Sequence, residues 1–174
     1  LMRNENSNSS TQKGAETVLI LDFGSQYAQL IARRVREAGA FSLLMAPDTP
    51  IEELAEHNLS GIIFSGGPSS ISEEGSPRCD DRIFDLGVPI LGICYGMQLI
   101  THMLKGKVLP TDDREYGRAE LELTVQEHSS LFKGVNNNSI VWMSHGDVIK
   151  KLPPEFSSTA FTNNSPIAAI ENPI

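Results

Sequence analysis

Cysteine, basic residues and aromatic residues are all scarce in this sequence, and each shortage excludes a class of protein. The 174 residues include two cysteines, too few for a disulfide scaffold or for a four-thiolate zinc site. Fourteen Lys and Arg residues stand against 22 Asp and Glu residues, which argues against a partner that is a nucleic acid or an anionic membrane. Aromatic residues make up 6% of the chain, so we expect an aliphatic core.

Long apolar runs are missing as well. No stretch approaches the roughly 18–20 apolar residues of a membrane span, and no basic segment leads into an apolar run near the N-terminus, as it would in a secretory signal. We therefore expect a cytoplasmic protein. The polar residues 1–16 are predicted to be a disordered tail or an expression remnant, and residues 17–174 are predicted to form one domain.

The first 106 residues alternate short apolar runs with amphipathic segments. This alternation predicts an α/β fold built on an open, mostly parallel, doubly wound sheet with helices on both faces. Thr49 and Glu52 predict a capping box, with Pro50 at the first helical position. Strands are predicted at 18–21, 41–45, 61–64 and 88–91, with helices at 26–38, 50–58, 80–86 and 97–105. Beyond Lys107, alternating residues at 119–125 predict a strand with one solvent-facing side, and short strands are expected at 139–143, 157–162 and 167–170.

The strongest chemical signal is Gly92-Ile93-Cys94-Tyr95-Gly96. Its spacing is typical of a nucleophile elbow, in which a strand turns sharply into a helix and exposes the central side chain. A helix N-terminus would lower the pKa of the Cys94 thiol. The alternative is a small buried cysteine between glycines that let a strand and a helix pack.

Two further segments are candidates for the same site, the first expected at the same edge of the sheet as Cys94 and the second at a strand end. Ser65-Gly66-Gly67-Pro68-Ser69 follows another buried strand, and its backbone N–H groups suit an oxyanion hole, although a plain turn is the alternative. Ser144-His145-Gly146-Asp147 follows an apolar run, and its side chains would orient a polar substrate or supply His145 as a base. The alternative for His145 is an ordinary loop histidine. Cys79 is interpreted as an inert or surface thiol, and residues 112–115 as a solvated loop rather than a metal site.

Five segments resemble the glutamine amidotransferase domains of GMP synthetases, which belong to the class I, triad-type amidotransferases. The motifs around Gly67 and Cys94 are shared by all class I members, and the first and last segments are much more specific. The resemblance covers residue 17 to the end of the chain. The segments are Leu21-Asp22-Phe23-Gly24-Ser25-Gln26-Tyr27, Ser65-Gly66-Gly67-Pro68, Gly92-Ile93-Cys94-Tyr95-Gly96-Met97-Gln98, Glu115-Tyr116-Gly117 and Trp142-Met143-Ser144-His145-Gly146-Asp147.

The resemblance assigns a role to each matching position. Cys94 is implied to attack the side-chain amide of glutamine, releasing ammonia and leaving a thioester that water cleaves. The backbone N–H groups of Gly67 and Tyr95 match the oxyanion hole. The substrate-binding positions are Gln98, Ser144, His145, Gly146 and Asp147.

The resemblance also implies a partner and its cofactors. Ammonia would pass to an ATP-pyrophosphatase (synthetase) domain or subunit, which uses ATP and Mg²⁺ to convert XMP to GMP. No cofactor or metal is expected in the amidotransferase domain itself. We predict Glu115 and Tyr116, at the carboxyl edge of the sheet, to help dock the synthetase part.

The sequence departs from the family at the catalytic base. The family's histidine lies in a Phe-His-Pro-Glu element, and the 174 residues contain no His-Pro-Glu. We therefore expect a domain truncated before that element, with almost no activity of its own. Two alternatives stay open: another class I amidotransferase, such as one serving anthranilate or carbamoyl phosphate synthesis, and a non-catalytic glutamine-binding or regulatory domain.

Overall fold

The structure is a computed structural model that describes residues 16–124 and 129–172, without the side chains of 112–116 and 145. Nearly all of the predicted N-terminal tail lies outside the described residues. Strands and helices alternate in the first part of the chain, as predicted. They are β1 (Thr17–Leu21), α1 (Ala28–Glu37), β2 (Phe41–Met45), α2 (Ile51–Leu54), β3 (Leu59–Phe64), a 3₁₀ helix (Asp81–Leu86), β4 (Ile90–Gly92) and α3 (Tyr95–Met103).

The first four strands form a parallel sheet in the order β2-β1-β3-β4. Its central strand β1 is apolar throughout because both of its faces are covered. Leu19 and Leu21 are fully buried in a core that also contains residues of α2 and α3. Ser42, on the opposite face of the sheet, donates a hydrogen bond to the Ala32 carbonyl oxygen of α1. Helices therefore lie on both faces, and the predicted fold class is confirmed.

The remaining strands form a second sheet, which is antiparallel, in the order β6-β5-β7-β8. Its buried core is small and centres on Leu121, Ala160 and Ala169. The predicted alternation appears where Leu121 is buried and Glu120 is exposed, but the strand is longer than expected, and residue 125 lies outside the described residues. The strands are β5 (Lys107–Leu123), β6 (Ser139–Lys151), β7 (Ser157–Phe161) and β8 (Ala169–Glu171).

The helix after β2 differs from the prediction. It ends at Leu54 instead of residue 58, and Pro50 is its N-cap residue instead of its first helical residue. The predicted capping box is wrong, because no side chain forms a capping hydrogen bond at the start of α2. Thr49 precedes the N-cap residue Pro50, and its hydroxyl donates to the Ala46 carbonyl oxygen across the preceding turn.

The two sheets meet along α3. This helix follows β4 and contacts both β5 and β6, so the long antiparallel hairpin lies beside the carboxyl edge of the parallel sheet. Ligands bind at this edge in open α/β sheets. Within the described ranges, none of the helices has the length and apolar character needed to cross a membrane.

Candidate active site

The turn between β4 and α3 has the tight geometry predicted for Cys94. Cys94 is the N-cap of α3, with φ 49° and ψ −110°, a conformation that is strained for a residue with a side chain. A Cβ atom on Gly96 would lie closer than 3.0 Å to the Phe64 carbonyl oxygen, and one on Gly92 would lie equally close to the backbone of Met97. The glycines on either side of Cys94 are therefore required by lack of space.

The glycine turn after β3 lies directly beside Cys94. A Cβ atom built on Gly66 would be 3.7 Å from the Cβ of Cys94, and one on Gly67 would collide with the Phe23 carbonyl oxygen. Ser65 is fully buried and fixes the turn, because its hydroxyl accepts from the Phe23 N–H at 2.9 Å and donates to the Gly66 carbonyl oxygen at 2.8 Å.

Tyr95, the residue after the cysteine, is at the start of α3, where backbone N–H groups have no acceptor within the helix. Its side chain is buried, packs against the Phe23 ring at a centroid distance of 5.6 Å, and donates a hydrogen bond to the Pro77 carbonyl oxygen at 2.6 Å. The backbone of Tyr95 is thereby fixed next to the glycine turn.

A cleft of about 630 Å³ opens at this edge and includes most of the predicted site residues. Its volume is within the ~300–1,000 Å³ range that is usual for small-molecule sites. Cys94 adjoins the cleft through Tyr95 but is not itself one of the lining residues. The side chain of His145 lies outside the described part of the chain. The predicted residues that line the cleft are Gly67, Tyr95, Gln98, Ser144, Gly146 and Asp147.

Asp147 joins three elements of the cleft wall. Its carboxylate oxygen Oδ2 accepts hydrogen bonds from the Ser70 hydroxyl at 2.7 Å and from the Ile71 N–H at 3.2 Å. Its carbonyl oxygen accepts from the side-chain amide of Gln98 on α3 at 3.2 Å. Asp147 and Gln98 are both buried. Asp147 therefore links β6 to the loop after β3 and to the helix that follows Cys94.

Sequence reasoning missed five cleft residues. Ser70, Ser72 and Glu73 lie in the loop after β3, and Pro110 and Thr111 lie in β5. The loop is rich in small and acidic residues, and no recognisable spacing marks Ser70. Its partner Asp147 is 77 positions away, so only the folded chain reveals the pair.

The expectation of a lowered thiol pKa at Cys94 is wrong in this structure. Burial raises the pKa of Cys94, because a thiolate loses hydration in an apolar environment. Among the described residues no charged group offsets this effect. At Cys79, burial and the neighbouring Asp81 carboxylate raise the pKa to about 12, which agrees with the interpretation of an inert thiol.

Residues 19–173 match the family model of class-I glutamine amidotransferases. The chain belongs to this family. The amidotransferase resemblance that the Cys94 and Gly67 motifs carried is thus confirmed.

Curated amidotransferase relatives are named GMP synthase [glutamine-hydrolyzing]. The Aquifex aeolicus protein is 53% identical over 155 residues, which cover 89% of this chain and 30% of that protein. The Brachyspira hyodysenteriae protein is 51% identical over 161 residues, covering 92% of this chain and 31% of that protein. The chain spans about 30% of the length of these relatives and corresponds to their glutamine amidotransferase part.

Solved structures share the fold. A Thermoplasma acidophilum protein, named as a candidate GMP synthase subunit, superposes with a TM-score of 0.79 at 28% identity over 91% of this chain and 78% of its own. A Thermotoga maritima glutamine amidotransferase superposes with a TM-score of 0.71 at 18% identity over 91% of this chain and 73% of its own, a likeness in fold alone.

The predicted docking residues lie on β5. Glu115 and Tyr116 pair through the backbone with His145 and Ser144 of β6, and their side chains lie outside the described part. Their role in docking, like the roles of the other predicted site residues, stays a prediction.

Proposed function

We propose that this chain supplies the nucleophile of a glutamine-hydrolysing enzyme, in which Cys94 forms a thioester during hydrolysis of the side-chain amide. The observation that carries the proposal is the position of Cys94, in a strained turn next to the glycine turn and at the edge of a cleft. A nucleophile there has a helix N-terminus and glycine N–H groups beside it, which suits attack on a carbonyl carbon.

The proposed reaction has two steps. The Cys94 thiolate attacks the amide carbon, and the oxygen becomes an oxyanion that accepts hydrogen bonds from the N–H groups of Gly67 and Tyr95. The carbon–nitrogen bond then breaks, the nitrogen takes up the proton that the thiol gave up and leaves as ammonia, and a γ-glutamyl thioester remains. Water cleaves the thioester to give glutamate and restores the thiol.

The rest of glutamine would be held on the other side of the cleft. The negative Asp147 carboxylate suits the α-ammonium group, because a buried charge is stabilised by an opposite charge. Ser144, His145, Gly146 and Gln98 are the proposed contacts for the remaining polar groups.

Activation of the thiol needs a base. The sequence contains no His-Pro-Glu element, and burial favours the protonated form of Cys94. We therefore expect these 174 residues alone to release almost no ammonia from glutamine. A turnover number typical of a complete glutaminase would contradict this expectation.

The names of the relatives support a destination for the ammonia. We infer that it passes to a synthetase domain or subunit that aminates XMP with ATP and Mg²⁺, with Glu115 and Tyr116 at the docking surface. A cytoplasmic location fits this chemistry.

Replacing Glu115 and Tyr116 with alanine is expected to reduce stimulation of glutaminase activity by the synthetase part. Unchanged stimulation would remove these two residues from the docking surface.

Covalent labelling tests the proposed nucleophile. A chloroketone analogue of glutamine should alkylate Cys94 with loss of chloride, and L-glutamine should slow the reaction. Peptide mass spectrometry should find the adduct on Cys94 and not on Cys79. The control Cys94→Ser variant should remain unlabelled. Labelling that L-glutamine does not slow would contradict glutamine binding.

One observation favours a second candidate, a glutamine-binding domain without hydrolysis. The raised pKa of Cys94 leaves little thiolate near neutral pH. This candidate predicts that L-glutamine binds in calorimetry while the chloroketone analogue of glutamine leaves Cys94 unalkylated. Alkylation of Cys94 that L-glutamine slows would exclude it.

A further inference from the structure

The two carboxylate oxygens of Asp147 have different surroundings. Oδ2 accepts from both Ser70 and Ile71, whereas no hydrogen bond within the described residues reaches Oδ1. Asp147 is 7% exposed and lines the cleft. A carboxylate removed from water is stable only when charge or hydrogen bonds compensate it. The arrangement therefore leaves one oxygen for a cationic group in the cleft.

The Ser70 hydroxyl has one proton, and its contacts show where that proton goes. A carboxylate only accepts, so Ser70 donates to Asp147. Ser72 must then be the donor in the 2.7 Å contact between the Ser70 and Ser72 hydroxyls. The Ser72 N–H also donates to the Ser70 oxygen, at 3.2 Å. These contacts point the hydroxyl of Ser70 toward Asp147.

The backbone on both sides of this contact is also fixed. The Ser70 N–H donates to the Glu73 carboxylate at 3.1 Å, and the Arg78 guanidinium donates to the Ile71 carbonyl oxygen at 2.7 Å. On the other side, Gln98 holds the carbonyl oxygen of Asp147. The Asp147 side chain could still turn about its two side-chain bonds, and the bonds to Oδ2 restrict that rotation, with Ser70 at 2.7 Å making the shorter one and Ile71 at 3.2 Å the longer.

We propose that Ser70 is a positioning residue for substrate recognition, holding Asp147 so that its second carboxylate oxygen faces the α-ammonium group of glutamine. This inference rests on the proposed function, in which glutamine occupies the cleft. Ser70 takes no part in the reaction at Cys94. Its loss should weaken binding of ligands that carry the ammonium group and leave the chemistry unchanged.

The test compares two chloroketones that alkylate Cys94, one with the α-amino group of glutamine and one without it. The inhibition constant KI and the limiting rate kinact are measured for the wild type and for Ser70→Ala. For the amino-bearing compound we expect KI to rise about tenfold in Ser70→Ala, the effect of losing a hydrogen bond to a charged group, with kinact unchanged. For the compound without the amino group we expect the wild type and Ser70→Ala to have equal KI values.

A matched control lies in the same loop. The hydroxyl of Ser76 is buried and has no hydrogen-bond partner among the described residues. Ser76→Ala should therefore leave both KI values unchanged. Ser70→Thr, which keeps a hydroxyl, should restore most of the affinity. Iodoacetamide, which does not resemble glutamine, should alkylate Cys94 equally fast in all these variants.

Distinct results would overturn the inference. Equal KI values for the amino-bearing compound in wild type and Ser70→Ala would exclude a positioning role, and equal losses for both compounds would indicate general damage to the loop. If Ser70→Ala does not fold, Ser72→Ala replaces it, with a smaller loss expected for the amino-bearing compound alone; no selective loss would again exclude the role. A wild type that neither compound labels would refute the proposed function itself.

Discussion

The two sheets contribute to the cleft in different ways. The parallel sheet supplies turns whose shape is set by close backbone packing, as the lack of space at Gly67, Gly92 and Gly96 shows. The antiparallel sheet supplies Asp147, which is held by hydrogen bonds from a loop and a helix outside that sheet. Close backbone packing thus places the proposed nucleophile Cys94. Hydrogen bonds place the Asp147 carboxylate, which is the proposed recognition group.

The sheets also differ in how much they bury. Leu19, Ile20 and Leu21 of β1 are all fully buried, whereas β6 leaves the Trp142 side chain 73% exposed. The first sheet packs a large core against α2, α3 and the 3₁₀ helix, and the second has a small cluster around Leu121. This difference in burial predicts that equivalent substitutions in the two sheets will have unequal effects, which measurements on pairs of variants can test.

The largest expected effect is on the two cores. Leu19→Ala should lower the free energy of unfolding by about 4 kcal/mol, because the residue is fully enclosed, and Leu121→Ala by about 2 kcal/mol. Urea unfolding of both variants under the same conditions measures the difference. Equal losses would mean that the two cores are equally well packed.

The next effect concerns glycine. Gly96→Ala should cost about 3 kcal/mol, since the new methyl group would collide with the backbone of Phe64. Gly134 lies between β5 and β6, its φ is +80°, and a Cβ atom added there would have nothing within 4 Å. Gly134→Ala should therefore lower the free energy of unfolding by about 1 kcal/mol through backbone strain alone. Thermal unfolding of the Gly96→Ala and Gly134→Ala variants measures the difference between the two losses of stability. A harmless Gly96→Ala would show that the turn at Cys94 can relax.

The two thiols should respond differently to pH. Burial raises both pKa values, and that of Cys79 reaches about 12. Iodoacetamide should therefore label Cys94 first as the pH rises. Because the folded pKa of Cys79 exceeds the ordinary value of about 8.5, its contribution to stability is complete below that pH and is lost as the pH rises toward 12. Cys79→Ala should reduce this alkaline loss in pH-dependent urea unfolding, and an unchanged loss would assign it to other groups.

The smallest effect is expected on the exposed face of the antiparallel sheet. Trp142→Ser should change the free energy of unfolding by less than about 0.5 kcal/mol, because most of the side chain is already in water. Urea unfolding provides the measurement. A loss of several times this size would reveal packing that the exposure of Trp142 does not suggest.

The sequence predicts best where local pattern and packing coincide. The run at residues 18–21 predicted β1 because a strand covered on both faces is apolar at every position. The glycines around Cys94 predicted its tight turn because the missing side chains leave room for the backbone. The class I motifs then identified the family.

Prediction failed where a distant contact decides the outcome. The pKa of Cys94 depends on how deeply the thiol is buried. The motif around the cysteine does not predict that burial. The pairing of Ser70 with Asp147 joins a loop to a strand of the other sheet and has no local signature.

The bond from the Ile71 N–H to Asp147 has a consequence for hydrogen exchange. Ile71 is in a loop, where amide protons ordinarily exchange quickly, but its N–H is buried and bonded to a strand of the second sheet. Exchange at this one amide then requires the loop to separate from that strand. Its rate would therefore report how often the cleft opens, without any change to the protein.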